Sequence, residues 1–448
     1  MSAKSTLNQV DPKISEAMEN ELARQRDCLE MIPSENFTSM NVLHALGSVL
    51  TNKYSEGYPG KRYYGGNQFI DVIETLAIAR AKALFKVPYA NVQPYSGSPA
   101  NFAVYAALCD RGDTIMGLNL TDGGHLTHGW KTSMTGQFFN SVPYHVKADG
   151  YIDVDEVRSL AIKEKPKLIW IGATAYSRAL PFEEFSKIAD EVGAYLAADI
   201  SHIAGLVAAG AHASPAPYAH IITTTTHKTL RGPRGAMIMA TERGLKKDPE
   251  LGDKLDKAVF PGLQGGPHDN TTAGIAVALL EASTPEFREY GNQIVNNAKA
   301  LAATLMKKGL KLVTNGTENH LILIDLTPFG NGKGVFAQEA LDLAGIVVNK
   351  NTIPKEPSSP FYPSGVRLGT PAITTRGMKE QEMESIGSII ADVINEVKDY
   401  EMSGDKEVRM ATMKKFRAEI KSNDAIKSAR AKTLEICAKF PLYPGLES

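Results

Sequence analysis

Lys228 closes a run of hydroxyls and β-branched residues, Ile221-Ile-Thr-Thr-Thr-Thr-His227-Lys228-Thr-Leu-Arg-Gly-Pro-Arg-Gly235. The β-branched opening predicts a buried strand. Gly-Pro-Arg-Gly continues neither a strand nor a helix and predicts a turn, so Lys228 stands where a strand ends. An amine held away from bulk water tends to lose its proton, and a neutral amine attacks carbonyls to form a Schiff base. For a lone lysine, a surface position after an edge strand is the commoner reading. Asp199, 29 residues upstream, ends a second short apolar strand in Tyr195-Leu-Ala-Ala-Asp199-Ile-Ser-His202. A lysine and an aspartate at two strand ends are the two poles of a pyridoxal phosphate site. The lysine takes the aldehyde, and the acid keeps the ring nitrogen protonated.

Further residues can serve such a site. Asn91-Val-Gln-Pro-Tyr-Ser-Gly97-Ser98-Pro99-Ala-Asn101 leads into an apolar helix running to about Cys109. Ser98 reads as its N-cap, Pro99 as its first residue and Gly97 as room for close approach. Free N–H groups and the dipole at that end suit a phosphate, although a Ser-Pro start alone is only a cap. Asn119–Gly129 carries His125 and His128 among glycines. With no carboxylate or third histidine evidently placed to join them, a metal set is not indicated, and a flat imidazole can instead stack on a planar ring. Arg367 lies in an apolar, glycine-flanked run where an unpaired charge is costly, so an anionic partner is expected. That partner is either a structural aspartate or a substrate carboxylate gripped by the guanidinium fork. Asn52–Gly66 sets four tyrosines and four glycines around one acid, Glu56. Such a loop either walls off the carboxylate and raises its pKa for proton shuttling, or is an ordinary surface loop.

The elements that must position these residues alternate. Lys167–Gly172 reads as a strand, Phe182, Phe185, Ile188 and Val192 mark one helix face, and Tyr195–Asp199 is the next strand. This is a βαβ unit, which predicts a parallel sheet covered on both faces, with ligands at the carboxyl ends of its strands, where Thr174, Asp199 and Lys228 fall. Near Pro285 the motifs thin out. His320–Leu326 and Ile346–Asn349 are strand candidates, and Met383, Ile386, Ile390, Val393 and Val397 form a core stripe. Asp11-Pro12 starts an amphipathic helix at the N-terminus, which Pro33 stops. At 448 residues the chain exceeds a single core, so more than one domain is expected. A net charge of −1 argues against general nucleic-acid or membrane-surface binding. Three scattered cysteines, no signal-peptide core and no long apolar run suggest a soluble cytoplasmic protein. Arg409–Lys432 holds eight basic residues against two acids, which fits a solvated helix face better than a polyanion site.

Thr223–Gly235 resembles the cofactor-lysine signature of the serine hydroxymethyltransferases. Ser34-Glu-Asn36 and Lys53-Tyr-Ser-Glu-Gly-Tyr-Pro-Gly-Lys-Arg-Tyr-Tyr-Gly-Gly66 resemble two further stretches of that family. The similarity runs from Ser34 to Pro444 through motifs in the family's order. It implies a fold type I α/β architecture: a large domain (51–285) with a mostly parallel seven-stranded sheet covered by helices, a smaller α+β domain (286–448) and an N-terminal helical arm (1–50). It implies pyridoxal 5'-phosphate on Lys228, Asp199 at the ring nitrogen, His125 stacked on the ring, and Gly97 and Ser98 at the phosphate. Thr174, where serine is more usual, falls near the phenolic oxygen; His202 assists the ring side, and His227 helps set substrate specificity. Ser34 and Tyr64 touch substrate or cofactor, Arg367 holds the substrate carboxylate, and Glu56 handles the substrate hydroxyl and the folate. Tyr63, Leu120, Gly124, Leu126, Asn351 and Ser359, Pro360 and Phe361 line the tetrahydrofolate. Tyr54, Gly265 and Gly266 reach the phosphate of a neighbouring subunit, which implies an obligate homodimer with shared sites, alone or within a tetramer. The reaction implied is the interconversion of serine plus tetrahydrofolate with glycine plus methylenetetrahydrofolate. Pro33, Tyr95, Asp122 and Asn270 stand where the family pattern has Ala, His, His and His, and Ser201 where Ala is common.

Two alternatives remain. A folate-independent β-hydroxy-amino-acid aldolase or transaldolase would keep Lys228, Asp199 and Arg367 but need not keep Glu56, the tyrosines or Asn351. A non-catalytic RNA-binding relative would lose the lysine and carry a basic surface.

Overall fold

Successive residues of the strand Leu168–Ile171 face opposite ways, and both ways are apolar. Leu168 and Trp170 enter one core with Ala197, Ile238 and Leu255, while Ile169 and Ile171 enter the other with Leu196, Phe185 and Met237. A strand buried on both faces belongs in the middle of a layered α/β sheet. The computed structural model, which describes residues 3–446, shows that sheet with seven strands. In space they run Tyr89–Asn91, Ala236–Ala240, Ile221–Thr225, Tyr195–Asp199, Leu168–Ile171, Thr114–Leu118 and Asn140–Tyr144. The last five pair in parallel, and Ala236–Ala240 is antiparallel to both neighbours. The Gly-Pro-Arg-Gly turn after Lys228 returns the chain into that antiparallel strand. The helix Phe182–Val192 buries Phe182, Phe185 and Ile188, as its spacing predicts.

A second sheet has four antiparallel strands in the order Lys311–Leu312, Leu321–Asp325, Gly365–Gly369 and Asn349–Asn351. The expected strand at Ile346–Asn349 is split. Ile346–Val347 pairs instead with Leu29–Glu30, and the second sheet takes Asn349 onward. The five-residue stripe from Met383 to Val397 is buried in this second core, on the helix Glu380–Val397.

The helix Pro285–Lys307, capped by the Thr284 side chain, joins the two cores. Its first turns place Phe287, Ile294 and Val295 in the core of the large sheet; its later turns place Leu301, Ala302 and Leu305 in the second. At the N-terminus Asp11 accepts the Ile14 N–H at 3.2 Å and starts the helix Pro12–Asp27. Leu29 and Met31 then enter the second core, so the arm is stitched to the C-terminal half rather than lying free. Among the described residues no helix is long and apolar enough to cross a membrane.

Candidate active site

The carboxyl ends of the parallel strands open into a cleft of about 520 Å³, lined from both halves of the chain. Asp199 is the last residue of its strand, and Lys228 follows the neighbouring strand by three residues. Both reach one space: a deeper part of the cleft is lined by Asp199, Lys228, His125, Thr174 and His202.

Asp199 is buried, which alone would raise its carboxyl pKa, but hydrogen bonds and nearby imidazoles overcome that and hold it well below the usual range. The Asn101 amide donates to Oδ2 at 2.9 Å, His128 Nε2 lies 3.2 Å from the same oxygen, and the Ser201 N–H donates to Oδ1 at 3.0 Å. The result is a permanent buried anion that can keep a ring nitrogen protonated. Burial draws the Lys228 amine down from 10.5 to about 8, with Asp199 opposing and Arg367 and Arg234 reinforcing the shift. That leaves about a tenth of the amine neutral at pH 7, against well under a thousandth for a free lysine, which suits a carbonyl-attacking amine.

The phosphate end differs in register from the sequence reading. The helix starts at Gly97, with Ser96 rather than Ser98 as N-cap, so Ser98 and Pro99 lie inside the first turn. Ser96 makes no side-chain cap bond, and Ser96, Gly97 and Ser98 all line the cleft. The first-turn N–H groups of a helix have no intrahelical acceptor and favour an anion. Gly97 is required there, since a Cβ would come 2.8 Å from Thr225 Cγ2.

Arg367, on the strand Gly365–Gly369, points into the same cleft. Its Nε donates to Asn349 Oδ1 at 2.9 Å and its Nη1 to the Thr174 carbonyl at 2.5 Å. Among the described residues no carboxylate pairs with it, so the structural-aspartate reading falls. Burial lowers its pKa to about 10 and leaves it cationic at neutral pH. An uncompensated buried guanidinium is a receptor for a carboxylate.

Ser34, Leu120, Gly124, Leu126 and Asn351 also line the cleft, as do His202 and His227. Burial holds His227 down to about 3 and His125 to about 4, so both rings are neutral. His125 accepts the Thr127 N–H through Nδ1, which fixes its ring. The Thr174 hydroxyl donates to the Gly123 and Gly124 carbonyls, at 3.2 and 3.0 Å, and so faces any cofactor oxygen as an acceptor.

The remaining predicted residues lie elsewhere in the chain. Tyr54, Glu56, Tyr63, Tyr64, Gly265 and Gly266 form a separate cluster, and none of them lines the cleft. Tyr54 donates to Glu56 Oε1 at 3.1 Å, its ring meets Tyr64 edge-on at 5.0 Å, and Gly265 and Gly266 pack against Tyr54 and Glu56. The tyrosines do not wall Glu56 off from solvent; Tyr63 is 75% exposed and Tyr54 53%. Ser359, Pro360 and Phe361 sit on an exposed loop outside the cleft, with Phe361 79% exposed.

His128 touches the key carboxylate, and its ring stacks on Trp170 at 5.1 Å. Contrary to the expectation that no carboxylate joins the two histidines, Asp199 does join His125 and His128, with ligand atoms within 4.8 Å of one another. The cations Lys228 and Arg367 facing that space oppose a dication and favour an anionic, planar group. Asn101, Arg234 and His320 were missed; only the position of Asn101, one helical turn past the phosphate loop, hinted at a role.

Four of the departures from the family pattern have polar partners. Tyr95 stacks flat on His268 at 4.2 Å and donates to the Gly266 carbonyl, Ser201 Oγ accepts the Thr225 N–H, and the Asn270 amide donates to the Leu46 carbonyl. Asp122 is held by Asn119 and by His145 at 2.6 Å.

A mostly parallel seven-stranded sheet whose strand ends carry a lysine and an aspartate over one cleft is the architecture of the fold type I pyridoxal-phosphate class. The family model described as serine hydroxymethyltransferase matches residues 7–390. The chain is similar to proteins named serine hydroxymethyltransferase from Acidothermus cellulolyticus (56% identical, covering 98% of this chain and 97% of the relative) and Sorangium cellulosum (54%, 98% and 97%). It is also 51% identical to the one from Nostoc punctiforme, over 98% of this chain and 96% of that relative. The chain belongs to the serine hydroxymethyltransferase family, a family of pyridoxal-phosphate-dependent enzymes.

Proposed function

We propose that this protein interconverts serine and tetrahydrofolate with glycine and 5,10-methylenetetrahydrofolate, using pyridoxal phosphate joined to Lys228. The observation that carries the reading is the convergence of Lys228, Asp199 and an unpaired Arg367 on one cleft. The residues present fit the cofactor: an amine of lowered pKa, a buried ionised carboxylate, an uncapped helix start and a neutral imidazole at His125. When bound, pyridoxal phosphate withdraws electrons from the α-carbon of an attached amino acid, which weakens the bonds to that carbon.

The chain's own groups do the rest. The Arg367 guanidinium binds the serine carboxylate and orients the molecule. Asp199 would hold the proton on the ring nitrogen, and Asn101 and His128 keep that carboxylate ionised and aimed. Gly97 and Ser98 would hold the phosphate through backbone N–H groups. His125, His202 and His227 would hold the ring, and Ser34 would meet substrate. Leu120, Gly124, Leu126 and Asn351 exclude water around the pterin. Ser359, Pro360 and Phe361 join them if their loop folds inward.

Glu56 Oε1 moves the proton of the serine hydroxyl, with Tyr63 and Tyr64 beside the folate. Because Glu56 and its tyrosines stand apart from the cleft of their own chain, the site is completed in a homodimer. There Tyr54, Gly265 and Gly266 of one subunit meet the phosphate bound by the other. Action in the cytoplasm belongs to this reading, supported by three scattered cysteines that are all free thiols.

The test is conversion of labelled serine by purified protein with pyridoxal phosphate, with and without tetrahydrofolate. Glycine formed only with folate is expected. Cleavage indifferent to folate would instead make the protein an aldolase.

A further inference from the structure

We propose that His320 is a positioning residue that fixes the tautomer of His202, so that His202 presents Nε2–H to the amino-acid end of the cleft. The functional side of this rests on the reading above. His320 precedes the strand Leu321–Asp325, which pairs with the Arg367 strand through Leu323 opposite Arg367. It therefore moves with the sheet that carries the carboxylate receptor. His202 belongs to the other sheet, three residues beyond Asp199. The two rings meet between the halves of the molecule, with His320 Nε2 3.3 Å from His202 Nδ1 and the centroids 5.5 Å apart.

Both rings are buried. Burial first, and the charges of Lys228 and Arg367 second, keep both neutral; His125 and His212 add smaller contributions of the same sign. Two neutral imidazoles sharing one hydrogen bond need one donor and one acceptor. The far nitrogen decides which. His320 Nδ1 is buried with no partner among the described residues. A buried N–H without an acceptor is rarer and costlier than a lone pair without a donor. The hydrogen of His320 is therefore on Nε2 and is donated to His202 Nδ1.

A space of about 10 Å³ adjoins the pair, at the lower limit for one water. Its polar lining is largely committed: Arg178 to Thr314 and Glu318, Asn319 to Tyr176, Arg178 and Leu321, and Asp199 to Asn101, His128 and Ser201. Only the Tyr176 hydroxyl hydrogen is left over, and a water that took it would have its own hydrogens to give to His320 Nδ1, which leaves that nitrogen an acceptor and the tautomer the same. His202, with Nδ1 accepting, carries its own hydrogen on Nε2, the nitrogen left for the cleft that it lines. An N–H aimed there favours an electron-rich oxygen of cofactor or amino acid; a lone pair would repel it.

The experiment is nitrogen NMR of full-length protein labelled with ¹⁵N-histidine, with His202 assigned by its loss in His202→Asn. The expected result is a pyridine-type Nδ1 and a pyrrole-type Nε2 for His202. The opposite pattern overturns the proposal, and this measurement needs no His320 variant to fold. In His320→Phe, which keeps the ring but no nitrogen, the His202 signals should shift. The KM for serine should rise about tenfold, the worth of one buried hydrogen bond, with kcat changed less. His320→Gln, whose amide can still donate, should restore both. His202 signals and KM left unchanged in His320→Phe would also overturn it. If serine is not converted at all yet His202 shows the expected tautomer, the functional reading fails and the His320–His202 assignment stands.

Discussion

Arg367 and Thr174 meet across the cleft, the guanidinium Nη1 donating to the threonine carbonyl at 2.5 Å. One residue comes from the four-stranded sheet and the other from the loop after the central strand Leu168–Ile171. The contact fixes the height of the carboxylate receptor above the cofactor floor, and Asn349 fixes its rotation. Arg367→Ala should raise the KM for serine about 30-fold or more, since truncating one partner of a buried charge pair costs about 2–5 kcal/mol. Steady-state kinetics with serine and with glycine checks this. Arg367→Lys should recover only part of the loss, because an ammonium cannot grip a carboxylate in the bidentate manner.

Lys228 links stability to pH in the cofactor-free protein. Its folded pKa of about 8 lies below its ordinary 10.5, so between those values the unfolded chain binds more protons and stability rises with pH. Below about pH 8 the cost of holding a cation there is present in full. Lys228→Met should therefore melt higher than the parent at pH 7, both without pyridoxal phosphate. The difference should shrink from about pH 8 and be gone near 10.5. Melting curves across that range test the sign.

Gly172 shows how tightly the aspartate is seated. A Cβ there would come 2.5 Å from the Asp199 backbone oxygen and 2.9 Å from its Cβ. Neither strand can yield in the middle of a close-packed sheet. Gly172→Ala should cost about 1–3 kcal/mol of stability and weaken pyridoxal phosphate binding by moving Asp199. Denaturant unfolding and cofactor titration report the two effects separately.

The strands that carry the chemistry were legible because they obey simple local rules. Ile221–Thr225 and Tyr195–Asp199 are short, β-branched or apolar, and bounded by turn residues. Arg367 was legible because a charge in an apolar, glycine-flanked run needs an explanation. Other features depend on tertiary placement. Leu29–Glu30 is a two-residue strand with no periodicity to read, and its partner Ile346–Val347 lies more than 300 residues away. The helix start at Gly97 could not be told from one at Pro99, because both Ser96 and Ser98 are good caps. His128 and His320 earn their roles from the groups they meet, Asp199 and His202, which the local sequence does not contain. Glu56 is the clearest case: its loop is recognisable, yet the single chain leaves it outside the cleft.

His128 should matter through Asp199. His128→Phe keeps the stacking on Trp170 but removes the nitrogen 3.2 Å from Oδ2. Removing a partner of a buried carboxylate costs about 1–3 kcal/mol. Pyridoxal phosphate should bind about tenfold or more weakly, read by fluorescence titration, and the melting temperature of the cofactor-free protein should fall by about 1–3 °C.

Completion of the Lys228 cleft of one subunit by Glu56 of another is tested most directly by mixing two inactive variants, Lys228→Ala and Glu56→Gln, after reversible dissociation. Random pairing makes half of the dimers mixed, and with a shared site each mixed dimer has one site with both residues intact. About a quarter of wild-type activity should then be recovered. Mixed dimers that form but stay inactive would contradict it, since they would place Glu56 and Lys228 of the same chain in each site.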